Sequence, residues 1–419
     1  MSLAEQQELE SQYVMHTFGR KPVELVSGSG MTVEDDKGNK YLDFIAGIGV
    51  CCLGHCHPAV VDAVQKQAAR LMHVSNYYYI EGRGRLSRQI SALLNGGDAD
   101  KPEPWQTFYA NSGAEANECA IKLARLYARK HAEEAARAAG ADEAQAKQAF
   151  DAAPRTIVVL DRSFHGRTLA TLAATAQPAK QEAFQPLPGG FVSTSINDIE
   201  ALERLFEQQG SDICAVMLEC IQGESGVHPC TQEFLQKVRD LTKQHNALMV
   251  CDEVQTGIYR CGTPFAFQHF GVVPDIVSMA KGIAGGVPMG ACAAPRHIAQ
   301  AFQPGDHGTT FGGSCLAIAA AQATLSTLAD GYSEHVERVG VYMRSKLAEV
   351  PHVVNVRGVG LMNAVDLEES VDAPALVAKA LDNGLLLNAT GAHTLRFLPP
   401  LVCEESDVDM LVDRLKRML

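Results

Sequence analysis

No uninterrupted apolar stretch in these 419 residues approaches the roughly 18 that a membrane helix requires. Basic charge is also in short supply: 36 Lys and Arg stand against 49 Asp and Glu, for a net charge of −13. With no basic stripe or arginine-rich tract, nucleic acid and anionic membrane are excluded as natural partners. The first ten residues, Met1-Ser-Leu-Ala-Glu-Gln-Gln-Glu-Leu-Glu10, are acidic and polar. They lack the cationic and apolar regions of a secretory or transit peptide, and a cytoplasmic protein is expected. The twelve cysteines are scattered without a repeated spacing, which is the pattern of reduced cytosolic thiols. One knot of ligand-type residues stands out, Cys51-Cys52-Leu-Gly-His55-Cys56-His57-Pro58. Zinc sites usually draw on two separated pairs and no second pair follows, so a turn entering a helix is expected here, and no metal.

What remains is ordinary soluble composition, 46% hydrophobic and 20% charged, in a chain long enough for two domains. There is no internal repeat and no disordered linker. Residues Met31 to Phe44 read as a β-hairpin turning at Asp36-Lys-Gly-Asn39, and Pro58 opens an amphipathic helix from Ala59 to about Leu71. Strands then alternate with helices: Gln106 to Ala110, Thr156 to Leu160, Ala215 to Leu218, Ala247 to Cys251, Ile276 to Met279 and Met289 to Ala294. A helix from Ala114 to about Lys130 follows the first of them. This alternation predicts an α/β fold with a mostly parallel sheet covered by helices. Beyond about Phe311 come a helix, Leu316 to Leu328, and a smaller α+β region with strands at Val353 to Val356, Gly360 to Asp366 and Thr394 to Phe397. Lys130 to Pro154, rich in Ala, Glu, Gln and Lys, reads as a solvent-exposed helical extension interrupted near Gly140.

Two of these strands end in a charge. Asp252 follows Ala247-Leu-Met-Val-Cys251, and Lys281 follows Asp275-Ile-Val-Ser-Met-Ala280. Open α/β sheets bind ligands beyond the carboxyl ends of their strands, so the two charges are expected in one crevice. An amine and a carboxylate there are what pyridoxal phosphate needs, one to bond its aldehyde and one to keep its pyridine nitrogen protonated. Taken singly, either residue is more often an ordinary strand-end charge.

Other segments add to the pair. Asn111-Ser112-Gly113-Ala114-Glu115 joins a strand to a helix, where small residues and free N–H groups can cradle a phosphate. By itself such a segment is usually only a helix cap. In Ser163-Phe164-His165-Gly166-Arg167-Thr168, Phe164 can stack on a flat ring and Arg167 can grip a carboxylate. Arg396 is a lone cation in the apolar strand Thr394-Leu-Arg-Phe397 and needs a partner. A carboxylate substrate, Glu219 or Glu224 would serve.

Together, Asn111-Ser-Gly-Ala-Glu-Ala-Asn-Glu118, Phe164-His-Gly-Arg-Thr168, Ile221-Gln-Gly-Glu224, Asp252-Glu-Val-Gln-Thr-Gly257, Lys281 and His307-Gly-Thr-Thr310 resemble the class III aminotransferases, from about Tyr13 to the C-terminus. Gly54-His-Cys-His-Pro58 and Arg396-Phe-Leu-Pro-Pro400 are most like the members acting on N-acetylornithine. The resemblance implies a pyridoxal 5'-phosphate enzyme of fold type I, with a seven-stranded mostly parallel sheet. It implies an N-terminal segment 1–60 belonging to a small domain, a large cofactor-binding domain 61–310 and a C-terminal small domain 311–419. Lys281 would bond the cofactor and shuttle a proton. Asp252 would pair with the ring nitrogen, Gln255 would lie near the ring hydroxyl, and Phe164 and Val254 would flank the ring. Ser112, Gly113 and Ala114 would hold the phosphate, joined by Thr310 from the partner subunit of a homodimer. Arg167 would bind the carboxylate remote from the reacting amine, and Arg396 the α-carboxylate of glutamate. Glu224 would neutralise Arg396 when no substrate carboxylate is there.

The implied reaction moves the ω-amino group of N-acetylornithine to 2-oxoglutarate. Ornithine, succinylornithine, succinyldiaminopimelate and 4-aminobutyrate are alternative donors, because one methylene or acyl group changes recognition by only a few kcal/mol. An aminomutase of the same fold would not need the Arg396–Glu224 pair, and a non-catalytic scaffold would not need Lys281 with Asp252. The chain departs from the family pattern at Cys51-Cys52, at Cys220 after Glu219, and at Tyr259, which takes a glycine's place. The first bears on the substrate entrance and the other two on packing.

Overall fold

The computed structural model describes residues 2–98 and 103–419. Met1 and residues 99–102, which fall within the expected segments 1–60 and 61–310, lie outside the described residues. A seven-stranded sheet organises the chain: β1 (Trp105–Ala110), β2 (Thr156–Leu160), β3 (Phe191–Thr194), β4 (Ile213–Leu218), β5 (Leu248–Asp252), β6 (Ile276–Met279) and β7 (Gly290–Pro295). Its spatial order is β1-β7-β6-β5-β4-β2-β3. Six strands run in one direction and β7 is reversed, antiparallel to both β6 and β1.

Every residue of β4, β5 and β6 is buried, as expected of parallel strands covered on both faces. Alternate residues serve opposite layers. Val216, Leu218, Met249, Cys251, Val277 and Met279 enter one hydrophobic core, and Ala215, Met217, Leu248, Val250 and Ile276 enter the other. The helix Gln232–Gln244 covers the first core with Phe234, Leu235 and Val238, and starts where Thr231 Oγ1 accepts the N–H of Phe234 at 3.1 Å. Each such side chain stabilises the fold by about 1.5–3 kcal/mol on burial.

Six of the seven strands lie where the alternation places them. The seventh, β3, is short and only partly buried, so it carries no continuous apolar run. The expected helix after β1 begins at Gly113 and continues to Ala138, and a second helix, Glu143–Ala152, starts at an Asp142 cap. The interruption lies at Gly140, with φ +90°. The extension is not wholly exposed: Ala146 is buried and Arg129 sits over the Phe150 ring at 3.9 Å.

The N-terminal hairpin forms as expected, Thr32–Asp35 with Lys40–Asp43, and an unanticipated strand, Leu25–Ser29, adds to it. Leu385–Leu386 joins the same sheet, parallel to Lys40–Asp43. The C-terminal region is a four-stranded sheet (Val353–Val359, Met362–Leu367, Thr394–Phe397 and Asn388–Ala389) backed by the helix Tyr332–Leu347, against which the helix Glu405–Met418 packs. His57 caps the helix Pro58–Ala68, its Nδ1 accepting the Ala59 N–H at 3.3 Å, so the cysteine- and histidine-rich segment is a turn entering a helix. Among the described residues no group of three or more His, Cys, Asp or Glu is placed to hold a metal ion, and no helix is long and apolar enough to cross a membrane.

Candidate active site

The strand register places the two strand-end charges together. Asp252 is the last residue of β5 and pairs with Ser278 of β6, and Lys281 follows just beyond the end of β6. Both line a cleft of about 470 Å³ with Ser112, Gly113, Ala114, Phe164, Arg167, Val254 and Gln255. The crevice thus opens at the carboxyl ends of the central strands.

Asp252 is 3% exposed and fully engaged. Its Oδ2 accepts from Asn117 Nδ2 at 2.7 Å and lies 2.7 Å from His165 Nδ1, while Oδ1 accepts the Val254 N–H at 3.0 Å. Burial pulls the pKa of His165 down, but the Asp252 hydrogen bond and charge outweigh it, and the net direction is up. These three contacts aim the carboxylate. Lys281 adopts φ +42°, a left-handed conformation uncommon outside glycine and often found at functional sites. Its amine is held below the ordinary lysine value because enclosure by protein outweighs the attraction of Asp252 and Glu224. A lysine so placed spends more time as the neutral amine that attacks carbonyl carbon.

Ser112 caps the helix Gly113–Ala138, its Oγ accepting the Glu115 N–H at 3.2 Å. The backbone is packed so closely here that only glycine fits at two positions. A Cβ on Gly113 would lie 2.6 Å from Val254 Cγ1, and one on Gly290 would lie 2.2 Å from the Ser112 carbonyl oxygen. The start of a long helix with small residues and a hydroxyl is a cradle for a phosphate-sized anion. Phe164 is fixed by its N–H, which donates to Glu219 Oε1 at 2.9 Å, and Arg167 lies 5.6 Å from its ring.

Arg396 is 2% exposed and sits behind the cleft lining. Its Nη1 donates to Glu224 Oε1 at 2.9 Å, to the Gly223 carbonyl at 3.1 Å and to Gln255 Oε1 at 3.2 Å. Nε and Nη2 both donate to Asn388 Oδ1, at 3.1 and 2.8 Å. Burial raises the pKa of Glu224, but the Arg396 charge overrides it and the carboxyl lies below its usual range. Of the two glutamates that could have served Arg396, Glu224 is therefore the partner. Glu219 instead accepts from the Phe164 and Gly223 N–H groups, and burial pushes its pKa up to about 7.

Thr310 is not brought to this cleft. It is exposed on a separate hollow with Asn76, Tyr77, Arg83, Tyr109 and Thr309. The structure also supplies residues that sequence reasoning assigned no role. Asn117 and His165 are the partners of Asp252, and Asn117 is a polar residue on the buried stripe of its helix beside Ala116, Ala120 and Ala124. That misplaced polarity was the available signal. At the departures from the family pattern, Cys52 Sγ donates to the Gly282 carbonyl at 3.1 Å, and Ile258 and Tyr259 take φ of +56° and +63°. Tyr259 thus keeps the left-handed turn that glycine would adopt without cost.

A family model described as aminotransferase class-III matches residues 15–419. The chain belongs to the class-III aminotransferases. It is 44% identical over 407 residues to the acetylornithine aminotransferase of Caldanaerobacter subterraneus, covering 96% of this chain and 95% of that one. The solved ornithine aminotransferase of Toxoplasma gondii superposes with a TM-score of 0.87 at 30% identity, covering 100% of this chain and 95% of that one. The acetylornithine aminotransferase of Elizabethkingia anophelis gives a TM-score of 0.82 at 32% identity, covering 100% and 99%. The cleft is accordingly the candidate transaminase site.

Proposed function

We propose that the protein moves the ω-amino group of N-acetylornithine to 2-oxoglutarate, using pyridoxal 5'-phosphate, as a cytoplasmic homodimer. The observation that carries this reading is the Arg396–Glu224 pair behind a cleft that also holds Arg167, Lys281 and Asp252. A site with one exposed and one masked arginine can accept two substrates that differ in how many carboxylates they present.

The residues fit the cofactor. Ser112, Gly113 and Ala114 would hold the phosphate at the helix start, with Thr310 contributed across the dimer. Phe164 and Val254 would flank the ring, Gln255 would lie near its hydroxyl, and Asp252 would hold the ring-nitrogen proton, steadied by His165 and Asn117. When bound, the cofactor supplies an electron-withdrawing ring that stabilises negative charge on the carbon bearing the amine. Lys281 Nζ, its proton affinity lowered by enclosure, takes the proton from that carbon and returns it. Arg167 orients the remote carboxylate of either substrate. Arg396 binds the α-carboxylate of glutamate once Glu224 has moved off it, and is masked by Glu224 otherwise.

The large domain, 61–310, carries most of the cleft, and segments 1–60 and 311–419 form the smaller one. The parallel pairing of Leu385–Leu386 with Lys40–Asp43 supports that join. The test is a half-reaction: purified holoenzyme is mixed in turn with glutamate, N-acetylornithine, ornithine, succinylornithine, succinyldiaminopimelate and 4-aminobutyrate, and cofactor absorbance is followed. Conversion by glutamate and N-acetylornithine, with the others much slower, is expected. Conversion by glutamate with a different donor would rename the substrate, and no conversion by glutamate would discard the Arg396 role. Lys281→Ala is expected to abolish turnover; retained turnover would sink the mechanism.

A further inference from the structure

Glu224, which masks Arg396, sits in the turn of a short hairpin, Ile221–Gln222 paired with His228–Pro229. One end of that turn is held by Arg396, through the Gly223 carbonyl and the Glu224 carboxylate. The other end is held by a second arginine to which transamination assigns no role. Arg357 Nε donates to the Gly226 carbonyl at 2.8 Å and to the Val227 carbonyl at 3.0 Å. Its Nη1 and Nη2 both donate to Asp366, a forked pair with Nη2 at 2.9 Å from Oδ1. Asp366 Oδ1 also accepts from Thr394 Oγ1 at 2.8 Å, and Oδ2 from Asn355 Nδ2 at 3.1 Å. Burial opposes ionisation of Asp366, but the hydrogen bonds from Arg357, Thr394 and Asn355 bring its pKa down to about 2. Thr394 opens the strand that carries Arg396. The two clamping arginines thus stand on strands of one sheet, separated by the strand that bears Asp366.

The turn does little to hold its own shape. Val227 is fully buried with φ +60°, a left-handed conformation that a β-branched residue rarely adopts. Within the turn, the Gly226 N–H reaches the Gly223 carbonyl at 3.4 Å and Ser225 Oγ reaches Gln222 Oε1 at 3.5 Å, with His228 Nε2 3.0 Å from the Ser225 carbonyl. A strained residue persists where its surroundings hold it, and Arg357 holds the carbonyls of Gly226 and Val227. We propose that Arg357, locked by Asp366, is a positioning residue that sets substrate choice: it fixes the far end of the turn so that the Glu224 carboxylate rests on Arg396. This rests on the reading of Arg396 and Glu224 as a masked pair. Glutamate must lift Glu224 off the guanidinium, whereas N-acetylornithine binds with the mask in place. Freed at its far end, the turn holds Glu224 on Arg396 for less of the time. Glutamate then competes with a weaker mask, and N-acetylornithine meets a guanidinium more often bare. A lysine at this position keeps the charge but cannot serve Asp366 and both carbonyls together, because it lacks the planar fork.

The test is a double-mutant cycle on holoenzyme with Arg357→Gln and Glu224→Ala, read by stopped-flow half-reactions with glutamate and N-acetylornithine. Arg357→Gln is expected to raise apparent affinity for glutamate about threefold and to lower that for N-acetylornithine by a similar factor, as a part of the Glu224→Ala effect. In the Glu224→Ala background the same substitution should leave the ratio of the two affinities unchanged, because no mask remains to be positioned. Arg357→Lys is expected to split the substrates in the same sense, and it decides the matter if the glutamine variant fails to fold. A merely structural arginine would move both substrates in one direction, or would shift the ratio equally with and without Glu224. Either result would overturn the proposal. If Glu224→Ala splits the substrates and Arg357→Gln does not, the positioning role alone falls. If Glu224→Ala does not split them, the masked-pair reading falls and the positioning role with it.

Discussion

Replacing Glu224 by alanine tests the masking of Arg396 directly. In the structure Glu224 Oε1 accepts from Arg396 Nη1 at 2.9 Å, and its carboxyl is held below the usual range, so it is charged at neutral pH. A glutamate α-carboxylate must displace it. Hydrogen bonds to charged groups contribute about 1.5–3 kcal/mol. The Glu224 side chain is 28% exposed, so solvent screens part of this and the lower end applies. At about 1.4 kcal/mol per factor of ten, the expected gain in apparent affinity for glutamate is about tenfold. Arg396 stays held by Asn388, Gln255 and the Gly223 carbonyl, so the site should not collapse. N-acetylornithine should move the other way, because its binding would leave a buried guanidinium with no carboxylate. Stopped-flow absorbance of each half-reaction, over a range of substrate concentrations, reads both affinities. Unchanged or weaker glutamate affinity in a folded, cofactor-loaded Glu224→Ala enzyme would refute the reasoning.

Two further outcomes follow from the packing and electrostatics. Gly113→Ala places a Cβ 2.6 Å from Val254 Cγ1, so it should push Val254 and weaken cofactor retention by at least about tenfold; equilibrium dialysis against free cofactor checks it, and wild-type retention would disprove the close-approach account. Burial raises Glu253 from 4.5 to about 7, despite hydrogen bonds from Thr256 and from the N–H groups of Ala266 and Phe267. Between those values the folded state keeps a proton that the unfolded state has lost, so this group's stabilisation falls as pH rises from 4.5 to about 7 and is flat above that. Glu253→Gln should remove up to about 1.4 kcal/mol per pH unit of that slope; calorimetric melting across this window checks it, and an unaltered slope would contradict it.

Much of the fold was legible because buried parallel strands write themselves as apolar runs. Val250, Ile276 and Val216 announce β5, β6 and β4 whatever lies around them. The strand β3 did not, because Phe191-Val-Ser-Thr194 lies at the sheet edge and is only partly buried. The site divided in the same way. Asp252 and Lys281 were visible as charges closing apolar runs, and Arg396 as a cation inside one. Arg396 declared a need for an anion, but its strand alone left Glu219 and Glu224 as candidates, and only the family resemblance pointed to Glu224 before the chain was folded. The backbone N–H groups of Phe164 and Gly223 claimed Glu219, which left Glu224 facing the guanidinium.

The sequence by itself determined the strand–helix alternation, the chemistry at the strand ends and the family, because these depend on local periodicity and on residue types at fixed spacing. Tertiary structure alone decided which groups meet. The contacts of Asp252 with Asn117 and His165 join three separate elements, and the contact of Asp43 with His55 joins a strand end to a turn. Hydrogen bonds and charge coupling act over a few ångströms of space, and separation along the chain does not encode that distance.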